Sequence, residues 1–325
     1  MSNKLRLHGC AMKVEGQYGV DAGPTPAANA VQLDESPWNT IEVKFLEDNE
    51  HPNVAGLDMG AGGEAVAPGG RYAEFTVVLP LRGAADFATI PDMDVVLAAA
   101  GFTRSEGVPG ANKRTWSSKS LADAGASVTA YLWAGGYLFK VVGVRGSVSW
   151  PAIPSRPVPI TFKAWGLVRE DPVDAALPAF TYRNRAVARP KVSGAPLTLN
   201  GFAPRCHSAA FDVANEVVAL PRSGAEDGHD GYEIVDYTTT IKAVIDTPLA
   251  AAFNPWTLQR TTARFPWSFE MQNASPFNRF SILGPAGELK PLRPGDKDKM
   301  TTMDLTIGVC RDIDQSTPPI RIVQS

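Results

Sequence analysis

The chain has 325 residues, of which 44% are hydrophobic and 20% charged, and 31 Lys and Arg against 34 Asp and Glu give a formal net charge of −3. At roughly 150 residues per domain, this length predicts two domains. Glycine (29) and proline (27) are abundant, which favours a turn-rich β protein and excludes a coiled coil, collagen and a largely disordered chain. The absence of a basic excess argues against tight binding to nucleic acid or to an anionic membrane.

Targeting and membrane-spanning features are not expected. The first residues lack the apolar run of a signal peptide, and the apolar stretches are far shorter than the roughly 20 residues that span a bilayer. The three cysteines, Cys10, Cys206 and Cys310, are widely separated and odd in number. They predict free thiols in a reducing compartment rather than a disulfide framework.

Strand patterns dominate the first half of the chain. Residues 40–45 (TIEVKF) alternate apolar and polar side chains, which predicts a strand with one buried face. The apolar run 75–79 (FTVVL) predicts a strand covered on both faces. Residues 127–140 predict a hairpin around Gly135 and Gly136, because a glycine pair supplies the positive φ angles of a tight turn.

One helix is predicted between these strands, at residues 90–100. Pro91 near its start, Asp92 and Asp94 in its first turn and Gly101 after its end are typical start and stop signals. The two aspartates could also be read as a catalytic carboxylate pair. Positions two apart diverge on a helix, so we interpret both as helix-start residues.

The chain carries signs of an internal repeat. A shift of 141 positions (302 − 161) places residues 161–165 (TFKAW) on 302–306 (TMDLT), and both stretches alternate in polarity. Upstream, a shift of 166 (250 − 84) places residues 84–87 (AADF) on 250–253 (AAAF). The difference, 166 − 141 = 25, is the length of the polar segment 101–125. We predict that this segment is a loop carried by the first copy of a duplicated unit.

Motifs that could carry chemistry are weak. Residues 60–65 (GAGGEA) loosely match a dinucleotide-binding fingerprint, but the preceding stretch is polar, so we predict a flexible loop. Cys206 and His207 are adjacent and would point to opposite faces of a strand, which is poor geometry for a nucleophile and its base. The acidic segment 226–231 (EDGHDG) lacks the ligand spacing of an EF-hand and predicts an exposed turn, with weak ion binding as the alternative. We predict no catalytic, cofactor-binding or metal-binding residues.

Several segments resemble tail tube proteins of long-tailed, non-contractile bacteriophages. They are residues 13–31 (KVEGQYGVDAGPTPAANAV), 130–168 (a hairpin, G-x-R-G and a proline-rich turn into a strand), 194–202 (GAPLTLNGF) and 209–217 (AAFDVANEV). The second copy departs from the pattern, because its hairpin at 271–280 (MQNASPFNRF) lacks the glycine pair.

The resemblance implies a mainly β fold of two tandem tail-tube-like β-sandwich or barrel domains, 1–170 and 171–325, each flanked by a short α-helix. It implies a structural virion protein, not an enzyme, with no cofactor. Its subunits would form homotrimeric rings with pseudo-sixfold symmetry that stack into the tail tube, the conduit for genome delivery. Sheet edges paired between neighbours would close such a ring. Residues 47–70 and 101–125 are candidates for ring stacking or outer decoration, or plain exposed connections.

The resemblance also implies partners and a location. The tube would contact tail terminator, tape measure and distal tail proteins, and double-stranded DNA would pass through it transiently and without specificity. The protein would assemble in the host cytoplasm, reside in the virion tail and have no membrane partner.

Two other functions are compatible with parts of the sequence. Tyr131 and Trp133 share one face of a predicted strand and could stack on nucleic-acid bases, but no basic groove accompanies them, so core or subunit contact is the better interpretation. A two-domain β-sandwich could instead be a carbohydrate-binding module or a glycoside hydrolase. A hydrolase needs two carboxylates about 5–10 Å apart, whereas the acidic residues here fall mostly in predicted turns.

Overall fold

A computed structural model describes residues 5–45, 71–84, 86–107, 113–118, 125–182, 187–191, 195–221, 229–272, 277–297, 299–311 and 318–325. Strands dominate these residues, and the prediction of a mainly β fold is confirmed. The first ten elements are β1 Leu5–Val14, β2 Thr40–Phe45, β3 Arg71–Pro80, α1 Met93–Ala99, β4 Phe102–Glu106, β5 Arg114–Ser118, β6 Val128–Ala134, β7 Tyr137–Ala152, β8 Pro159–Leu167 and β9 Val173–Asp174. The others are β10 Arg189–Pro190, β11 Leu197–Leu199, β12 Cys206–Pro221, β13 His229–Asp246, α2 Pro255–Arg260, β14 Phe265–Gln272, β15 Arg279–Leu289, β16 Arg293–Lys297, β17 Met300–Cys310 and β18 Arg321–Gln324.

The predicted strands and helix of the first half lie where their patterns place them. β2 spans the alternating segment, β3 contains the apolar run, and β6 and β7 form the predicted hairpin. Gly135 and Gly136 turn that hairpin with φ angles of 60° and 88°. α1 begins after Asp92 and buries Met93, Val96 and Leu97 against the sheet.

The two aspartates at the start of α1, Asp92 at the N-cap and Asp94 in the first turn, have separate structural partners. Asp92 accepts a hydrogen bond from the backbone N–H of Gln32 at 3.1 Å. Asp94 accepts from Arg104 and from the indole N–H of Trp116, both at 2.7 Å. The carboxylates therefore fasten the helix to its surroundings in different directions.

Among the described strands, pairing is antiparallel throughout, and one set of pairings occurs twice. In the first half, β1 pairs with β6, β2 with β3, β3 with β8, β6 with β7, and β7 with β8. In the second half, β11 pairs with β14, β12 with β13, β13 with β17, β14 with β15, and β15 with β17. The shift of 141 positions superposes the starts of β8 and β17, at Pro159 and Met300.

The prediction of a loop at residues 101–125 is wrong. β4 and β5 form a hairpin there, with Phe102 opposite Ser118. Phe102 and Trp116 are buried, and β5 pairs with β18 from the other end of the chain. Burial of two large side chains outweighs the polar composition of the segment, since a fully buried Phe contributes about 1.5–3 kcal/mol relative to an exposed one. Residues 47–70 lie outside the described residues.

A single large core cluster draws on both halves of the chain. Phe211 of β12 lies at the centre of the aromatic part of this core cluster. It stacks on Trp150 of β7 with ring centroids 6.1 Å apart, and it contacts Phe269 edge-on at 5.1 Å. The halves therefore share apolar packing as well as strand pairing.

Candidate assembly interface

The two halves of the chain meet through a strand pair between the end of β7 and the start of β12. Val148 lies opposite Val213, Trp150 opposite Phe211 and Ala152 opposite Ala209. β8 occupies the other edge of β7. β12 therefore covers an edge that would otherwise present unpaired N–H and C=O groups.

Side chains reinforce this pair next to the strands. Ser147 donates to the carbonyl oxygen of Val213 at 2.7 Å. The amide of Asn215 donates to the carbonyl oxygens of Gly146 and Ala100, at 2.7 Å and 2.9 Å. Asn215 thus ties β12 both to β7 and to the end of α1.

Beyond Val213 the β12–β13 hairpin continues as an arm, made of residues 214–221 and 229–239. The strands of the arm pair with each other, and the arm lies against the first half. Tyr232 is 5% exposed and packs on Val142 and Leu167, with its ring centroid 6.1 Å from that of Tyr72. The arm of the second half therefore covers apolar surface of the first.

Tyr18 fastens the arm to the first half. Its hydroxyl accepts a hydrogen bond from the backbone N–H of Tyr232 at 2.6 Å and lies 3.2 Å from the carbonyl oxygen of Gly143. The guanidinium carbon of Arg145 stands 5.0 Å from the centre of the Tyr18 ring, in cation–π geometry. Burial raises the pKa of the Tyr18 hydroxyl above its ordinary value of 10.0.

Two glycines make room for Tyr18. Gly143 has a φ of +63°, and a Cβ there would lie 2.8 Å from the tyrosine oxygen. Gly231 of the arm has a φ of +133°, and a Cβ there would lie 2.0 Å from the same atom. A larger residue at either position would meet both backbone strain and a clash.

A buried carboxylate holds the segment that carries Tyr18. Glu15 accepts hydrogen bonds from the backbone N–H groups of Gly19 and Gly143, each at 2.8 Å. It also accepts from the hydroxyls of Ser127 at 2.5 Å and Thr129 at 2.9 Å. Four donors compensate for the removal of the carboxylate from water. Sequence reasoning assigned no role to Glu15 or Tyr18, although both lie in the segment 13–31 that carries the family resemblance.

A second contact between the two halves of the chain is made by β5 and β18. Arg114 of β5 is 2% exposed. Its Nε donates to both carboxylate oxygens of Glu106, and its Nη2 donates to the carbonyl oxygen of Phe87 at 2.7 Å. Its Nη1 lies 3.3 Å from the side-chain oxygen of Gln324 in β18. A buried cation with this many acceptors fixes the β4–β5 hairpin to the body.

The residues considered for chemistry have structural partners. His207 Nε2 lies 2.6 Å from a carboxylate oxygen of Asp246, whereas the Cys206 thiol contacts the carbonyl oxygen of Ser208 at 3.3 Å. Trp133 is buried and its ring lies 5.3 Å from that of Phe180. Core or subunit contact was expected for Tyr131 and Trp133: Trp133 lies in the core, whereas Tyr131 is partly exposed and its hydroxyl donates to Asp21 at 2.6 Å.

Other candidate motifs lie partly beyond the described residues. Residues 60–65 and 226–228 are outside them, and His229 and Asp230 begin β13. Among the described residues, no group of three or more His, Cys, Asp or Glu could hold a metal ion. In the same part of the chain, no helix has the length and apolar character to cross a membrane.

In the contacts between the two halves, strands cover edges that would otherwise be unpaired, and side chains of one half pack and hydrogen-bond with the other. Among known proteins, no family model matches the chain and no curated protein matches it. Function is therefore inferred from the fold and from the junction between the two halves.

Proposed function

We propose that this protein is a structural virion protein that self-assembles into stacked rings and forms the tail tube of a long-tailed, non-contractile bacteriophage. The observation that carries the proposal is the β7–β12 junction, in which a strand of one half completes the sheet edge of the other. Because the two halves share one pairing scheme, the same contact can be repeated from copy to copy. Repeated head-to-tail contacts that close produce a ring.

The proposal includes a duplicated tube domain, with residues 1–170 and 171–325 as its two β-sandwich or barrel copies. The end of β8 at Leu167 supports a boundary near residue 170. The short strand β9, Val173–Asp174, follows that boundary and pairs with β7 of the first copy. In the part of the chain that the structure describes, each copy has one short helix, α1 or α2. Because each chain would carry two copies of the domain, a ring of three chains would contain six copies. This favours a homotrimer with pseudo-sixfold symmetry.

The tube would be the conduit through which the genome enters the host, and it would catalyse nothing. The net charge of −3 suits transient, non-specific passage of double-stranded DNA, because tight retention requires many cationic phosphate contacts. Tail terminator, tape measure and distal tail proteins would be its partners in the virion tail, after assembly in the host cytoplasm. Residues 47–70 and 101–125, the second of which contains the β4–β5 hairpin, would mediate ring stacking or outer decoration, or would be plain exposed connections.

Electron microscopy of the purified full-length chain, combined with light scattering, tests the proposal. We expect rings or tubes, and a smallest assembled species near three chains, 3 × 34.7 = 104 kDa. Dispersed 34.7 kDa monomers at all concentrations would contradict self-assembly. If such monomers also bound polysaccharide, the alternative of a carbohydrate-binding module or glycoside hydrolase would replace the proposal.

A further inference from the structure

We infer that Arg145 and Arg169 form a binding site for a small, phosphate-type oxyanion beside Tyr18. The site lies within one chain, so this inference goes beyond the proposed function and does not depend on self-assembly. It starts from a positive charge that the fold buries without an ion-pair partner. Such a charge is costly unless a partner compensates for its removal from water.

Arg145 of β7 is the buried cation. It is 6% exposed, and its Nε is buried without a hydrogen-bond partner. Among the described residues, its guanidinium forms no ion pair with a carboxylate. The ring of Tyr18, 5.0 Å from the guanidinium carbon, supplies cation–π attraction but no negative charge.

The acid next to Arg145 is already saturated. The register of β7 against β8 shifts between Val142 and Arg145, and Glu15 binds the backbone N–H of Gly143 within this bulge. Each carboxylate oxygen of Glu15 accepts two hydrogen bonds from its four donors. A carboxylate has about four acceptor positions, so Glu15 has none left for a guanidinium.

Arg169 adds a second guanidinium near Tyr18. It is exposed, and its Nη2 lies 3.4 Å from the position that a Cβ of Gly19 would take. Burial raises the pKa of the Tyr18 hydroxyl, and the charges of Arg145 and Arg169 both oppose that rise. Both cations therefore act on the same group.

The carboxylates that follow Arg169 in the sequence pair with other cations. Glu170 pairs with Lys140 at 2.7 Å, and Asp171 pairs with Arg71. In the part of the chain that the structure describes, Arg169 itself forms no ion pair. The two guanidinium groups near Tyr18 are thus not balanced by an ion pair within the described residues.

Two such cations favour a divalent oxyanion over a single carboxylate. A phosphate group carries about −1.5 to −2 charges at pH 7, and guanidinium groups bind its oxygens in a bidentate geometry. The burial of Arg145 admits a small ion but not the backbone of a nucleic acid, whose phosphates are flanked by sugars. The ligand class is therefore free phosphate or an ion of similar size and charge.

Binding of the anion would strengthen the attachment of the arm. The Tyr18 hydroxyl accepts a hydrogen bond from the backbone N–H of Tyr232 in the arm, and Arg145 packs on the Tyr18 ring. An anion that fixes Arg145 therefore also fixes the residue that fastens the arm. At a phosphate concentration of about ten times the Kd, an anion that binds only the folded chain raises the folding equilibrium constant about 11-fold.

Isothermal titration calorimetry with inorganic phosphate tests the site. Phosphate is titrated into the full-length chain at pH 7 in chloride buffer of matched ionic strength. The variants are Arg145→Gln and Arg169→Gln. The matched control is Arg260→Gln, which removes an exposed arginine from α2.

We expect one phosphate per parent chain, the same affinity in Arg260→Gln, and affinity lower by about tenfold or more in the other two variants, the change that loss of one charged hydrogen bond produces. Absence of phosphate binding in the parent, or parental affinity in Arg169→Gln, would overturn the inference. If Arg145→Gln fails to fold, Arg169→Gln at its exposed position decides the outcome. Binding of a short DNA duplex in place of free phosphate would overturn the assignment to a small anion.

Hydrogen exchange of the arm gives a second readout, which also separates the site from general stabilisation by salt. Phosphate should slow exchange at residues 229–233 in the parent and in Arg260→Gln, but not in Arg169→Gln. Equal slowing in all three proteins would show that phosphate acts without the site and would overturn the inference.

Discussion

At Gly143, backbone conformation and close packing demand the same residue, and the two demands can be separated experimentally. Gly136 also has a positive φ, +88°, but nothing lies within 4 Å of the position its Cβ would take. Gly143 combines a φ of +63° with a Tyr18 oxygen 2.8 Å from that position. Substituting Gly136 and Gly143 therefore separates the cost of backbone strain alone from the cost of strain combined with a clash.

We predict that Gly143→Ala destabilises the protein by about 2–4 kcal/mol and Gly136→Ala by about 1 kcal/mol. The smaller value reflects the left-handed conformation alone, and the larger adds displacement of Tyr18 and loss of its partly buried hydrogen bonds. Urea denaturation followed by circular dichroism gives both free energies of unfolding. An equal loss of unfolding free energy in the two variants would show that the contact with Tyr18 does not contribute to stability.

The partly buried Tyr18 and the buried Tyr232 predict a loss of stability at alkaline pH. Burial raises the pKa of Tyr18 and Tyr232 above 10.0, so folding favours their protonated forms. Below pH 10 this contribution is fully present. Above pH 10 the unfolded chain releases protons that the folded chain retains, so the free energy of unfolding falls as pH rises towards the folded-state pKa values.

The variant Tyr18→Phe isolates one of these groups. It should start from a lower stability at pH 8, because the backbone N–H of Tyr232 loses its acceptor. Between pH 10 and 11 its free energy of unfolding should then fall less steeply than that of the parent, by up to about 1.4 kcal/mol per pH unit. Identical slopes in urea titrations at pH 8 to 11 would exclude Tyr18 as the titrating group.

At the scale of elements, the β4–β5 hairpin is a folded part of the body, and Trp116 is its anchor. The Trp116 side chain is 1% exposed and its indole N–H donates to Asp94 of α1. We predict that Trp116→Ala lowers the free energy of unfolding by about 3–5 kcal/mol, the usual cost of truncating a buried aromatic residue. Trp38, which is 72% exposed, supplies the control: Trp38→Ala should change stability by less than about 0.5 kcal/mol.

Thermal and urea unfolding of the two tryptophan variants measure this difference. A loss at Trp116 no greater than that at Trp38 would mean that the hairpin contributes nothing to the stability of the fold.

The same hairpin shows where sequence patterns succeed and fail. β2 was predicted at its observed bounds because one buried face imposes strict alternation. The β4–β5 segment was missed because Arg114 is buried through its bonds to Glu106 and to backbone carbonyl oxygens, and composition does not reveal such partners. Glu15 was missed for a related reason, since Ser127 and Gly143 lie more than a hundred residues away in sequence. A repeat could be predicted from the sequence, but the strand pairs that join the two halves could not.

At the scale of the whole molecule, two similar pairing schemes share one core. Phe211 belongs to the second half by sequence, yet it stacks on Trp150 of the first half and contacts Phe269 of its own. Strand pairing between β7 and β12 runs through the same place. The halves should therefore lose structure together rather than as independent units.

Hydrogen exchange measured by mass spectrometry tests that coupling. We predict that Phe211→Ala, which removes a buried aromatic ring at a cost of about 3–5 kcal/mol, accelerates exchange in β7 and β8 as well as in β13 and β14. The control Trp256→Ala, at a position 51% exposed in the second half, should leave both regions unchanged. Acceleration confined to β13 and β14 would mean that the halves unfold separately, and that the junction joins two stable bodies without coupling them.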